Sequence, residues 1–171
     1  MAEFNRNSNE VSISCSIGGM QLCYNYFFDI KKRILDEYKK GKHKGIRYLS
    51  FIDKDNIDAV KKFLDAGARI KHVKNLPPMS FGISDKQVIT TLEKMDGGRI
   101  SQTLLVSEEE AFIKYFKGIF EELWKTGIDA VDRIKDIEEG KESDDELADA
   151  KHYLNEVLFE VSKMKSEAII Q

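Results

Sequence analysis

Cysteine and histidine are scarce in this chain: two of the first, Cys15 and Cys23, and three of the second, His43, His72 and His152. Two thiols cannot build a disulfide framework or a four-ligand zinc site. They read as small buried apolar residues at the start of a strand–helix unit, with a redox pair as the lesser alternative. The histidines fall in different segments without H-x-x-x-H or H-x-x-E spacing, so neither a metal nor a cofactor is expected. No apolar run approaches the roughly 18 residues that a membrane span requires. Charge of one sign is lacking too. The net charge of −3 gives no global electrostatic reason to bind nucleic acid or an anionic membrane, and neither is expected among the partners.

What is present suits a domain with a substantial core. Of 171 residues, 42% are hydrophobic and 33% charged, which fits one domain, or one domain plus an appendage. Residues 1–10 are polar, carry Glu3 and Glu10, and do not resemble a secretory signal. They are expected to form a disordered tail on a cytoplasmic protein. Val11, Ile13 and Cys15 alternate with serines and predict a short strand. Ser16 is placed to cap the helix that follows, whose apolar residues Met20, Tyr24, Phe27, Phe28, Ile30, Ile34, Leu35 and Tyr38 recur at three and four. Lys39, Lys40 and Gly41 end it. A βαβ unit is predicted next, with strands at 46–52 and 68–73 around a helix that Asp53 or Asp55 caps and Gly67 closes. Pro77 and Pro78 exclude helix at the entry to two further strands, 79–83 and 88–92. A strand at 100–106 completes the β content.

Ser107 with Glu110 has the spacing of a capping box. The helix it opens is the most apolar in the chain, and Phe112, Ile113, Phe116, Ile119, Phe120, Leu123 and Trp124 are expected to lie against the sheet. An amphipathic segment at 128–137 leads to a polar break. A second capping box, Ser143 with Glu146, starts the last helix. Its seam of Leu147, Ala150, Leu154, Val157, Val161, Met164 and Ala168 holds for about three heptads. The seam either packs on its own domain or pairs with a second copy, and the homodimer is the favoured expectation. The expected organisation is a tail at 1–10, an α/β domain at 11–140 and a coiled-coil-like helix at 141–171.

Several stretches carry a family resemblance: Ile17-Gly18-Gly19-Met20-Gln21-Leu22, Gly45-Ile46-Arg47, Asp53-Lys54-Asp55, Lys74-Asn75-Leu76-Pro77-Pro78-Met79, Phe120-Glu121-Glu122-Leu123-Trp124-Lys125 and Asp136-Ile137-Glu138-Glu139-Gly140. Over about seven tenths of the chain these resemble the N-terminal sensory module of a group of archaeal sensor histidine kinases. More remotely, the strand order and the Phe-x-x-Leu-Trp helix are similar to one half of a phospholipase D-like fold, which also serves without catalysis in some archaeal sugar-sensing transcription regulators. The resemblance implies an α/β input domain with a central mixed sheet flanked by helices. It departs from the kinase pattern after Gly140, where no phosphoacceptor-histidine helix follows.

That resemblance also speaks to chemistry. A phospholipase D strand carries H-x-K-x-x-x-x-D, and counting back from Asp85 puts Pro78 at the nucleophile position and Ser80 at the lysine position. Neither residue supplies an imidazole or a positive charge, so no enzyme activity is expected. Ser14, Ser16, Gly18 and Gly19 stand where a strand turns into a helix, and free amides there offer an anion site, although capping by Ser16 and close packing at the glycines are the favoured account. With Ser80 and Asp85 they form the set of ligand-binding candidates. Leu147, Leu154, Val157, Val161 and Met164 form the dimer-interface set. The basic run of Lys31, Lys32, Arg33, Lys39, Lys40, Lys42 and Lys44 reads as a solvated helix end. The expectation is a non-catalytic sensory or regulatory module acting as a dimer, with an unknown small molecule or signalling protein as partner. A ligand-free interaction scaffold is the alternative, and a phosphodiesterase the weakest reading.

Overall fold

The alternation of Val11, Ile13 and Cys15 with Ser12 and Ser14 becomes β1 (Val11–Ser14), a strand whose two faces differ because side chains point to opposite sides in turn. A computed structural model of the chain describes residues 8–15, 18–77, 79–96 and 99–141. After β1, helix α1 (Gly19–Lys39) returns the chain to β2 (Ile46–Ser50), parallel to β1 with Ile13 opposite Tyr48. Helix α2 (Ile57–Ala66) makes the second crossover, to β3 (Arg69–His72), parallel to β2.

The local part of the sheet follows. Strands β4 (Ser80–Ser84), β5 (Val88–Asp96) and β6 (Arg99–Ser107) form an antiparallel meander, and β4 pairs with β1 so that Ile13 faces Gly82. Helix α3 (Glu110–Thr126) then leads to the two-residue β7 (Ile128–Asp129), antiparallel to β3, and to α4 (Ala130–Glu138). The result is a mixed α/β architecture with four helices among the described residues and a seven-stranded sheet in the order β6-β5-β4-β1-β2-β3-β7.

Two cores lie on the two faces. On one, α1, α2 and α4 pack Met20, Ile34, Leu35, Ala59, Phe63, Ile134 and Ile137 against Val11, Ile13, Ile46, Tyr48 and Ile70. Phe63 is central there, with ring centroids 5.0 Å from Tyr48 and 5.2 Å from Phe28. On the other face, α3 is the one helix among the described residues that packs over Leu49, Phe51, Phe81, Ile83 and Val88. Its successive turns cross the strands: Phe116 meets Phe81 of β4 at 5.2 Å, Phe120 meets Arg47 of β2 at 4.8 Å, and Trp124 meets Lys71 of β3 at 5.2 Å. The helix has to reach from one sheet edge to the other. Six strand spacings of about 4.8 Å are roughly 29 Å, and its 17 residues at about 1.5 Å each give nearly that span.

Among the described residues the mixed α/β class matches the expectation, β7 is an added strand, and the ends of several elements are corrected. Ser107 is the last residue of β6, paired with Val88, so it does not cap α3; its hydroxyl instead accepts the Glu109 amide at 3.2 Å. The apolar face of α3 is only partly covered: Phe120 is the buried residue of that helix, while Phe112 in its first turn is 53% exposed. Asp53 caps no helix end directly. Its carboxylate accepts the amides of Asp55 and Asn56 in the turn before α2. Of the tail expected at 1–10, residues 8–10 are described, and Asn9 is tied to the turn at Asp85 by a hydrogen bond of 3.1 Å. The heptad helix, with Leu147, Leu154, Val157, Val161 and Met164, lies outside the described residues.

Candidate functional site

The rows of residues across β1, β4, β5 and β6 create a space that α1 does not fill. One row is Ile13, Gly82, Ile89 and Val106; the next carries Ser80, Thr91 and Leu104. Gly82 has no side chain and Ser80 a short one, so the floor is shallow where α1 passes over it. A cavity of about 450 Å³ results, between this floor and Leu22, Cys23, Tyr26, Phe27 and Lys31 of α1, with Cys15 at the end of β1 closing one side. That volume falls in the range of small-molecule sites, which are mostly apolar with a few placed polar groups.

The polar groups of this site are unusual for their setting. Lys31 is 1% exposed, and burial lowers its amine from the ordinary value of 10.5 to about 8, partly opposed by the nearby thiols of Cys23 and Cys15. Cys15 and Cys23 bring their sulfurs to 3.9 Å. The hydrogen bond between them splits their acidities: it raises Cys15, with burial adding to the rise, and lowers Cys23, which the Lys31 charge lowers further. Cys23 is therefore the thiol that ionises first, against a cation in the same wall. Thr91 donates its hydroxyl to the Ser80 carbonyl at 3.2 Å.

A second cluster lies on the opposite face and is structural. Arg47 hydrogen-bonds Glu121 at 2.7 Å and Ser12 at 3.2 Å, and its guanidinium lies over both Phe120 and Trp124. Glu121 is held below the usual carboxylate range chiefly by the Arg47 hydrogen bond. The whole arrangement pins α3 to β2.

The ligand candidates read from the sequence divide. Gly19 and Ser80 line the cavity. Gly18, in a left-handed conformation with φ 81°, precedes α1 and is not among the lining residues. Ser14 is fully buried but lies on the other face, because it follows Ser12, whose hydroxyl meets Arg47 there, by two residues. Asp85 belongs to the turn after β4, at the strand end remote from Ser80, where it accepts the Asn9 amide. Of the five described candidates, Gly19 and Ser80 come together at the cavity, and Ser14, Gly18 and Asp85 do not line it. Ser16 and Pro78 lie outside the described residues. What the sequence reading missed is Lys31. It was grouped with the solvated cations, yet its spacing of three and four from Phe27, Phe28, Ile34 and Leu35 places it on the apolar stripe of α1. Lys32, Arg33, Lys39, Lys40, Lys42 and Lys44 are exposed. Among the described residues no helix is long and apolar enough to cross a membrane.

No family model matches this chain, and no curated protein matches it. Its fold is similar to that of TrmBL2, an archaeal chromatin protein whose structure shows a novel mode of DNA binding, with a TM-score of 0.56 and 14% sequence identity. The likeness covers 75% of this chain and 48% of that one, so the chain spans about half the length of TrmBL2. At this identity the likeness concerns the fold alone. These comparisons do not support the resemblance to a kinase sensory module or to a phospholipase D-like half. They also correct one expectation: excluding nucleic acid as a partner does not stand, because a fold of this kind occurs in a DNA-binding protein. Net charge was the wrong criterion, since a chain near neutrality can still gather its cations at one place.

Proposed function

We propose that this chain is a non-catalytic sensory or regulatory module whose signal is a small, largely apolar anion held in the cavity beneath α1. The observation that carries this reading is the composition of the wall, where one buried lysine stands among Ile13, Leu22, Phe27, Ile89 and Leu104. An amine with a pKa of about 8 is mostly protonated at pH 7. It attracts a carboxylate more strongly in an apolar surround than it would in water. The resemblance to sensory modules of archaeal histidine kinases is the context in which such a domain would act. Ser80, which begins β4, and Asp85, in the turn after it, hold phosphodiesterase motif positions but supply neither the imidazole nor the positive charge of that reaction.

The test uses the environment-sensitive dye anilinonaphthalene sulfonate, displaced either by a medium-chain carboxylate or by the alcohol of equal length. At pH 7 the carboxylate displaces the dye at about tenfold lower concentration, the equivalent of roughly 1.4 kcal/mol. Lys31→Met removes most of that preference, and Ser80→Leu, which fills the floor, weakens both ligands. Equal displacement by the two, or no binding of the dye, overturns the reading.

A second reading rests on the likeness to TrmBL2 and on the exposed cations at the end of α1 and in the loop after it, Lys39, Lys40, Lys42 and Lys44. Here the module contacts the phosphate backbone, without reading bases. The expected result is a duplex-DNA mobility shift that weakens steeply with added salt and is lost in a Lys39→Glu, Lys40→Glu, Lys42→Glu variant. A shift that ignores these substitutions places the contact elsewhere, and no shift at low salt removes this reading.

A further inference from the structure

We propose that Cys15 and Cys23 are a reversible redox pair, which closes to an intrachain disulfide in the cavity wall when a small peroxide enters. The inference is independent of which molecule the cavity holds. Its basis is geometric. The two sulfurs, 3.9 Å apart, come from different elements, one from the end of β1 and the other from α1, and both line the cavity. They need to approach by about 2 Å to reach the bond length of roughly 2.05 Å, a movement within the sweep of one χ1 rotation of a cysteine. Two thiols merely filling space would serve equally well pointing apart into the core. Here they face each other in the wall of a cavity with room for a small peroxide, next to a buried cation.

The chemistry balances with hydrogen peroxide as the oxidant. The Cys23 thiolate attacks one peroxide oxygen, the O–O bond breaks, and a sulfenic acid and hydroxide form. The Cys15 sulfur then attacks the Cys23 sulfur, the S–O bond breaks, and the S–S bond forms. The Cys15 proton and the leaving hydroxyl depart as water. Over both steps two thiols lose two electrons and one peroxide becomes two waters. An external thiol reverses the change by exchange. The roles follow from the local electrostatics: Lys31 favours the thiolate at Cys23, while Cys15 donates the hydrogen bond and remains protonated until the second step. A pair of this kind suits a reducing compartment, where disulfides are transient and report oxidant.

The experiment treats the full chain, fully reduced, with a small excess of hydrogen peroxide. Intact mass spectrometry should show a loss of about 2 mass units, the two hydrogens of a single disulfide. Peptide mapping should recover Cys15 linked to Cys23, and dithiothreitol should restore both thiols to alkylation. In Cys15→Ser the second step has no partner, so Cys23 should be trapped as a sulfenic acid by dimedone. Cys23→Ser should leave Cys15 reduced under the same treatment. The proposal is overturned if both thiols stay alkylatable in the folded protein, if the linkage forms between chains, or if Cys23 passes directly to the sulfinic acid with Cys15 still free. Because the single variants conserve volume and the wild-type protein carries the main readout, poor folding of one variant leaves the outcome decided.

Discussion

Replacing Lys31 by methionine raises the stability of the protein at pH 7 by as much as about 3 kcal/mol. The buried amine holds its proton less tightly than an exposed lysine, about 8 against 10.5, and each tenfold loss of proton affinity is worth roughly 1.4 kcal/mol. The unfolded chain binds that proton fully, so wild-type stability rises with pH across the interval from about 8 to 10.5 and carries the whole cost below it. Methionine has a similar length, keeps the apolar contacts beneath α1 and removes the cost. The gain is an upper bound, since methionine also forgoes the polar contacts of the lysine. Urea denaturation of both proteins from pH 7 to 10 checks the sign. The advantage of the variant should be largest at pH 7 and should shrink above pH 8. A variant that is less stable at pH 7, or an advantage indifferent to pH, would show that Lys31 is well compensated in its site.

Arg47→Ala has an effect of similar size and opposite sign. Arg47 is 8% exposed and carries the polar and stacking contacts between β2 and α3. Its removal strands the Ser12 hydroxyl, unpairs Glu121 and opens a gap beneath Phe120 and Trp124. Breaking a buried ion pair from one side costs about 3–5 kcal/mol. The Glu121 side chain is 38% exposed and can recover water, so about 3 kcal/mol is expected here. Arg47→Met refills the gap but leaves Glu121 and Ser12 without the guanidinium, so it should recover only about 1 kcal/mol of that loss. The pair also has an acid signature. Arg47 depresses the Glu121 carboxyl below its ordinary 4.5, so its contribution is complete above that pH and fades as pH falls through the lower folded value. Thermal melts near pH 7 and pH 3 should show wild type and Arg47→Ala converging in acid. If alanine and methionine destabilise equally, the packing argument fails and charge alone holds the helix.

Much of this architecture was legible because the local signals agreed. Alternation in 11–15 and the βαβ unit closed by Gly67 required nothing from distant residues. Partner choice was different. That Ile13 would lie between Tyr48 and Gly82 depends on which strands meet, and the side-chain period says only which residues share a face. The same gap explains the candidate site. Ser14 and Ser80 appeared equivalent as small polar residues near strand ends, and pairing put them on opposite faces. Lys31 was misread because composition counts it as a surface cation, whereas its position on the helical stripe placed it inside. The short β7 had no legible signal, because two residues carry no periodicity. It exists where Gly127 lets the chain pass close to Lys71 and His72: a Cβ there would sit 3.0 Å from Lys71 Cβ.

The length of α3 matters beyond packing. Its amino end continues from β6, its carboxyl end leads to β7, and between them it touches β4, β2 and β3 in order. A rod joined to both margins of a twisted sheet behaves as a strut. If β5 or β6 tilts, the distance between the margins changes, and the strut can accommodate this only by sliding or by loading its far joint. That joint is the clasp of Lys71 with Asp129 and His72 with Ile128, the shortest pairing in the sheet and mechanically its fuse. Deformation beginning on the cavity side is thereby converted into strain at the opposite margin, where α4 departs.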